Sequence, residues 1–337
     1  MPFAAIQCIE SYLPERVLDN QALAEATSAW TEEKIFEKTG IRERRLAAGD
    51  EFVSDMAVKA AEKVFARGEV QRGDIDFILL CTQSPDYFLP TTACLVQERL
   101  GLPTRAGALD FNLGCSGFIY GLGLAKGLVE TGQARKVLLL TSETYSKFIH
   151  PKDASVRTLF GDAAAATVVT AVEGGTERIG PFVYGTDGSG AGNLIVPAGG
   201  MRTPRRADAP EEEDANGNRR TINNLYMNGP EIFTFTLKNV PELVEGLLGA
   251  SGLAMDQVDL YVFHQANAFM LEALRRKIRI PKDRFVVNLA ETGNTVSSTI
   301  PLALAQCLAE QRLVPGMTAM LAGFGVGYSW GATLVRI

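Results

Sequence analysis

Three residues of this chain have side chains suited to nucleophilic catalysis and stand in runs that could expose them. They are Cys115 in Gly114-Cys115-Ser116-Gly117, His264 in Phe263-His264-Gln265-Ala266-Asn267, and Asn294 in Glu291-Thr292-Gly293-Asn294-Thr295. A thiol is a nucleophile, and a neutral imidazole and a side-chain amide can both donate hydrogen bonds. Converging on one buried site, they would make a nucleophile with two hydrogen-bond donors. Alone, the cysteine reads as a small packing residue. Its setting adds to that: Gly114 permits a tight turn and Cys115 falls where a helix begins. The unpaired N–H groups and positive dipole end of a helix start stabilise a thiolate. The other histidine, His150, lies in the basic stretch 147–152 and reads as a surface residue.

The elements that must position these residues can be read from apolar periodicity. Strands are expected at 3–9, 77–81, 108–113, 136–141 and 163–169, alternating with helices. Asn20 is read as the cap of one helix, and Thr31 and Gly40 as the bounds of the next. Ser54 is read as the cap of a long helix over 55–65, and a further helix is expected at 91–100. The helix after Cys115 puts Phe118, Leu122, Ala125 and Val129 on one stripe but contains Gly117, Gly121, Gly123 and Gly127. Each glycine costs roughly 1 kcal/mol against alanine, so close approach of another backbone to a buried helix is expected. Such alternation predicts an α/β fold with largely parallel sheets.

The plan repeats. Residues 257–264 echo 74–81, residues 284–289 stand to Asn294 as 108–113 stand to Cys115, and 317–321 match the strand at 136. An offset of about 180 residues implies an internal duplication, divided here as 1–175 carrying the cysteine and 176–337 carrying histidine and asparagine. All three candidate residues then sit at C-terminal strand ends near a shared interface, where α/β sheets favour ligand sites. Residues 201–220, charged and without periodicity, read as a solvated loop, with a lid or docking role the lesser alternative. The glycine-rich run 188–192 lacks the spacing of a phosphate loop and reads as a flexible loop near the substrate entrance.

Composition bounds the function. A chain of 337 residues with 46% hydrophobic content can bury a large core, and a net charge of −6 argues against broad nucleic-acid or membrane-surface binding. The N-terminus has no signal-peptide pattern, and no apolar run is long enough to span a bilayer. The five scattered cysteines include no CxxC pair, which excludes a zinc-finger spacing, makes a disulfide framework unexpected and fits a reducing cytoplasm.

The segments around Cys115, His264 and Asn294 resemble those of 3-oxoacyl-ACP synthase III, within the thiolase-like condensing enzymes. So do Thr39-Gly40-Ile41-Arg42-Glu43-Arg44, Phe160-Gly161-Asp162 and Gly325-Val326-Gly327-Tyr328-Ser329-Trp330-Gly331. The resemblance implies a thiolase-like fold of two similar halves in five layers, α-β-α-β-α, a homodimer, and a Cys115-His264-Asn294 triad. Backbone N–H groups of Cys115 and Val326 would form the oxyanion hole. Acyl-CoA and acyl carrier protein are the implied partners, and no metal or other cofactor is implied. Substrate contacts would fall at Lys34, Lys38, Arg157, Leu89, Phe269 and Asn267, and Arg275, Arg276 and Lys277 could form a basic carrier-protein docking patch. Departures cluster there. The family's adenine-stacking tryptophan becomes Lys34, a phosphate-gripping arginine becomes Lys38, another arginine becomes Ala154 with Arg157 nearby, and a carrier-contacting arginine becomes Phe269. Leu89 takes the position that lines the acyl pocket across the dimer interface. The chemistry is expected to be kept and donor recognition altered, with a primer other than simple acetyl-CoA.

Rival readings differ in class. Papain-like proteases share the order Cys-His-Asn, but their local cysteine signature and disulfides are missing. An acyltransferase of the same fold, passing the acyl group to a hydroxyl or amine without decarboxylation, would have less use for Asn294. A non-catalytic acyl-binding subunit would not need the intact triad.

Overall fold

The apolar runs of both halves become the centres of two mixed sheets in a computed structural model that describes residues 2–27 and 30–337. The first half runs through β1 (Phe3–Tyr12), β2 (Arg16–Asp19), α1 (Asn20–Thr27), α2 (Glu32–Thr39), β3 (Glu43–Leu46) and α3 (Val53–Ala66). It continues through β4 (Phe77–Cys81), α4 (Thr92–Arg99), β5 (Gly107–Phe111), α5 (Gly117–Glu130), β6 (Lys136–Glu143), the short α6 (Ala154–Arg157) and β7 (Ala163–Val172). The second half gives β8 (Ile179–Thr186) and four two-residue strands, β9 (Leu194–Ile195), β10 (Glu212–Glu213), β11 (Arg219–Arg220) and β12 (Tyr226–Met227). After them come α7 (Gly229–Ser251), β13 (Leu260–Phe263), α8 (Ala268–Ile278), α9 (Thr299–Ala309), β14 (Thr318–Gly325) and β15 (Ser329–Arg336).

The two large sheets share one topology. The first is ordered β1-β7-β6-β4-β5 and the second β8-β15-β14-β13. In each, the outer two pairings are antiparallel and the next is parallel. Phe285 adds a parallel bridge to Tyr261 where β5 lies beside β4. The expected strand at 284–289 is reduced to that bridge because the Gln265 side chain takes its hydrogen bonds. Its Nε2 donates to the Phe263 and Val286 carbonyls, and its Oε1 accepts from Asn288 N–H at 2.7 Å.

Helices α5 and α9 lie between the sheets, each touching strands of both. Outside the first sheet are α3 and α4, and outside the second are α7 and α8, which completes the layers α-β-α-β-α. Strand β6, buried from Val137 to Glu143, is the continuous apolar run that a strand covered on both faces requires.

Local readings need four corrections. Helix α1 is capped by Asp19, whose Oδ1 accepts from Ala22 N–H at 2.8 Å, while Asn20 turns inward to donate to the Ile41 carbonyl. Helix α3 starts two residues earlier than Asp55; that aspartate reaches back to Phe52 N–H at 2.7 Å, and Ser54 instead accepts from Arg99. The glycines of α5 are approached by side chains rather than by another backbone: Cys81 at Gly117, Leu139 and Phe111 at Gly121, Tyr184 at Gly123. Gly127 faces open space and nothing in the structure explains it. Residues 201–220 include an ordered hairpin, β10–β11, tied down by Arg219 to Glu211 and Glu213 and by Arg220 to Asp153.

Candidate active site

The nucleophile sits at the seam between the halves. Cys115 occupies the turn after β5, two residues before α5, and is buried. Gly323 in β14 lets the Cys115–Ser116 backbone come close, and Gly325 leaves room for the thiol itself. The N–H groups of Val326 and Cys115 both face Sγ and favour its ionised form. Burial nevertheless outweighs these donors and pushes the Cys115 thiol up to about 12, with the buried Glu143 carboxylate adding to the rise. The helix-start expectation of a depressed thiol is therefore overturned: desolvation, which penalises the charged form, is the larger effect. Alkylation of Cys115 by iodoacetamide in the free protein should be slow at pH 7 and rise about tenfold per pH unit through pH 10, because only the thiolate reacts. A rate that levels off below pH 8, followed by intact mass, would contradict this.

His264 follows the last residue of β13 and donates its backbone N–H to the Ala322 carbonyl at 2.8 Å. Phe324 packs edge-on against its ring at 5.6 Å, fixing the imidazole plane. Burial lowers the imidazole to about 3, so it is neutral at physiological pH. The sign follows directly. The unfolded histidine takes up a proton near pH 6.5 and the folded one resists it, so this group's stabilisation is fully present above 6.5 and lost as pH falls towards 3. Between pH 6 and 8 the rate of a reaction at this site should show no histidine limb; a limb that disappears in His264→Gln would overturn the neutral assignment.

Asn294 is held by the other half of the molecule. Its N–H donates to the Leu159 carbonyl at 2.9 Å, and its carbonyl accepts from Gly161 N–H at 3.0 Å. Gly293 precedes it at φ +67, in the left-handed region glycine favours, and its α-carbon faces the Leu159 carbonyl so closely that a Cβ would stand 2.7 Å away. The fully buried Arg44 supports that stretch, donating to the Thr158 carbonyl and to Asn20. Asn294 Oδ1 accepts from Val296 N–H at 2.9 Å, which turns Nδ2 towards His264 Nε2, 3.5 Å away. Two nitrogens at that spacing can both donate to one oxygen placed between them.

All three residues line one cavity of about 320 Å³. Its walls are apolar, with Phe160, Ile232, Met270 and Phe324 among them. Phe233 and Phe269 also line it, stacked at 5.5 Å, and Phe269 is 65% exposed. Asn267 lines it too and caps α8 by accepting from Met270 N–H. The other expected contacts fall elsewhere. Lys34 and Lys38 are exposed on α2, and Lys34 lies over Trp30. Arg157 turns away, donating to the Pro151 carbonyl and lining a separate cavity with Arg16. Leu89 is 83% exposed beside Tyr87 and Phe88. In the basic run, Arg275 and Arg276 pair with Glu272, leaving Lys277 exposed without an acidic partner among the described residues. His150 is largely covered and pairs with Glu211, contrary to its surface reading. The 188–192 run forms a short 3-10 turn packed on Tyr328 and contributes nothing to the cavity lining.

Sequence reasoning found Phe269 but missed Phe160, Phe233 and Phe324 as cavity walls, and the buried carboxyl of Glu143. Burial raises Glu143 to about 8, and it accepts from Gln83 N–H, Ser84 and Ser297 Oγ. No single periodicity marks these residues, because they come from a loop (Phe160), a helix start (Phe233) and the C-terminal ends of β6 and β14 (Glu143, Phe324).

The arrangement has close counterparts. The family model "3-Oxoacyl-[acyl-carrier-protein (ACP)] synthase III" matches residues 109–188, and the corresponding C-terminal model matches 248–337. A beta-ketoacyl-[acyl-carrier-protein] synthase III of Caldanaerobacter subterraneus subsp. tengcongensis is 36% identical over 97% of this chain and 95% of its own. A solved 3-oxoacyl-(acyl-carrier-protein) synthase III superposes with a TM-score of 0.98 at 58% identity over the whole of both chains. The 3-oxoacyl-(acyl-carrier protein) synthase of Burkholderia xenovorans LB400 superposes at 0.91 with 38% identity, covering 99% of this chain and 94% of that one.

Proposed function

This chain belongs to the 3-oxoacyl-[acyl-carrier-protein] synthase III family, and on that premise we propose that Cys115 carries the acyl group while His264 and Asn294 hold the malonyl thioester. The protein is an acyltransferase that condenses an acyl primer with malonyl-ACP in fatty-acid biosynthesis. The observation supporting these roles is the pair of nitrogens, Asn294 Nδ2 and His264 Nε2, 3.5 Å apart in the cavity that also contains Cys115.

The Cys115 sulfur bonds to the primer's thioester carbon, and the departing thiol leaves with the proton that Cys115 gives up. The tetrahedral oxyanion faces the N–H groups of Cys115 and Val326. Malonyl-ACP then loses CO2; the electron pair of the broken C–C bond becomes an enolate whose negative oxygen lies between the His264 and Asn294 donors. The enolate carbon bonds to the acyl-Cys115 carbon, and collapse expels the Cys115 thiolate, which takes up one proton. No electrons are exchanged with an outside acceptor, so this route uses no redox cofactor. Transfer to a hydroxyl or amine, and a purely acyl-binding role, are not favoured beside this reading.

For the primer, the apolar mouth at Phe233 and Phe269, with Arg157 turned away, supports a thioester other than acetyl-CoA. A homodimer is supported by the open edge of β5, where Leu109 is exposed near the apolar loop Tyr87–Leu89. Lys277 remains the available cation of the proposed carrier-protein patch. Among the described residues no helix is long and apolar enough to cross a membrane, and a cytoplasmic location accords with the enzyme's thioester substrates. Intact-mass measurement against a panel of acyl-CoAs and acyl-ACPs, with CO2 release from malonyl-ACP, tests the reading. Acetyl-CoA acylating Cys115 as fast as every longer thioester would end the altered-primer proposal, and acylation without CO2 release would end the condensation roles.

A further inference from the structure

A neutral histidine carries its proton on only one nitrogen, and the roles above require it on Nε2. The structure shows what faces the other nitrogen. His264 Nδ1 is 2.7 Å from Oγ1 of Thr299, the first residue of α9, and both side chains are buried. The same hydroxyl lies 3.0 Å from the Val296 carbonyl, which is itself within reach of the ring. A hydroxyl has one proton and therefore two settings. Pointed at the Val296 carbonyl, Oγ1 can only accept from Nδ1–H, which leaves Nε2 as a bare lone pair. Pointed at Nδ1, it donates, and the ring proton stands on Nε2 beside the Asn294 amide.

We propose that Thr299 is a positioning residue whose hydroxyl donates to His264 Nδ1 and holds the imidazole proton on Nε2, aimed with Asn294 Nδ2 at the thioester oxygen. This rests on the His264 and Asn294 roles assigned above. The setting has a further consequence for the free site. With both nitrogens carrying hydrogen, the pair 3.5 Å apart cannot bond to each other and is satisfied only by an oxygen between them. The site is thus preorganised for an incoming carbonyl. Acylation of Cys115 relies on the Cys115 and Val326 N–H groups and is independent of Thr299.

Valine in place of Thr299 keeps the shape and removes the donor. Nδ1 is then left facing the Val296 carbonyl, which demands an N–H, so the proton moves to Nδ1 and a lone pair faces the forming enolate oxygen. Loss of one such donor lowers turnover by about 10²–10³-fold, and that fall is expected for condensation and malonyl-ACP decarboxylation by Thr299→Val. Acylation by an acyl-CoA, read by intact mass, should stay within about threefold, and Thr299→Ser should recover condensation to within about fivefold, scales set against that single-donor loss. The ring proton can be observed directly. The chain has only two histidines, so ¹⁵N-histidine spectra resolve His264 once His150→Gln removes the other. The wild type should show Nε2–H and Thr299→Val should show Nδ1–H. Three results would overturn the proposal: Nε2–H retained in Thr299→Val, Thr299→Ser impaired as deeply as the valine variant, or acylation falling together with condensation. Failure of the underlying roles reads differently: His264→Ala would then keep full malonyl-ACP decarboxylation, whatever the Thr299 variants do.

Discussion

Replacing Cys115 with alanine should abolish the mass increment left by acyl thioesters and reduce condensation by more than about 10³-fold, since among the described residues no second thiol lines the cavity. The same variant should still release CO2 from malonyl-ACP. The two activities use different donors: the Val326 and Cys115 N–H groups lie at Sγ, whereas His264 Nε2 and Asn294 Nδ2 are set by β13 and by the 159–161 stretch. Removing the sulfur leaves the second pair in place. His264→Ala should show the converse, an acylated enzyme with decarboxylation lowered about 10²–10³-fold. If Cys115→Ala stops CO2 release as completely as His264→Ala does, the division of labour between the two donor pairs is wrong. Measuring acyl mass, CO2 and 3-oxoacyl product on the same three proteins decides it.

How much of this could be read in the sequence depends on the range of the interactions involved. The sheets were legible because β4, β6, β13 and β14 are apolar runs whose burial on both faces leaves a pattern in the chain itself. The duplication was legible for the same reason, strand by strand, and it placed Cys115, His264 and Asn294 near one another. What failed was local competition between side chain and backbone. Gln265 reads as a motif residue, yet its amide occupies the edge where 284–289 would have paired. Asn20 and Ser54 read as caps, yet each is recruited by an arginine, Arg44 or Arg99, distant in sequence. The thiol's ionisation was misjudged because a helix start is visible in a sequence and desolvation is not. Thr299 carries no local signal, because its partner His264 stands 35 residues earlier.

Gly323→Ala should impair stability and activity together, and for one reason. Gly323 lies in the middle of β14, paired with Gly331 of β15, so neither neighbour in the sheet crowds it. The crowding comes from across the seam. A Cβ on Gly323 would stand 2.8 Å from the Cys115 carbonyl oxygen and 2.8 Å from Ser116 Cα, closer than real Cβ atoms come to anything. Both are backbone atoms at the start of α5, so no rotamer change relieves the clash. The helix must lift from the second sheet, or β14 must bow away and carry Gly325 and Val326 with it. Overpacking of this kind costs typically 1–3 kcal/mol, and with backbone on both sides about 3 kcal/mol is expected, near 6 °C in melting temperature for a chain this large. Either movement also separates the Val326 N–H from Sγ, so acylation should fall by about 10²-fold, the scale of one oxyanion donor. Gly127→Ala on the same α5 is the internal control. Its added methyl meets nothing within 4 Å, and replacing a helical glycine should stabilise by up to about 1 kcal/mol while leaving acylation unchanged. Gly323→Ala melting with the wild type and acylating at its rate would mean that the seam between the halves yields. The close packing that presents Cys115 to the second half's donors would then not be what holds the nucleophile in place.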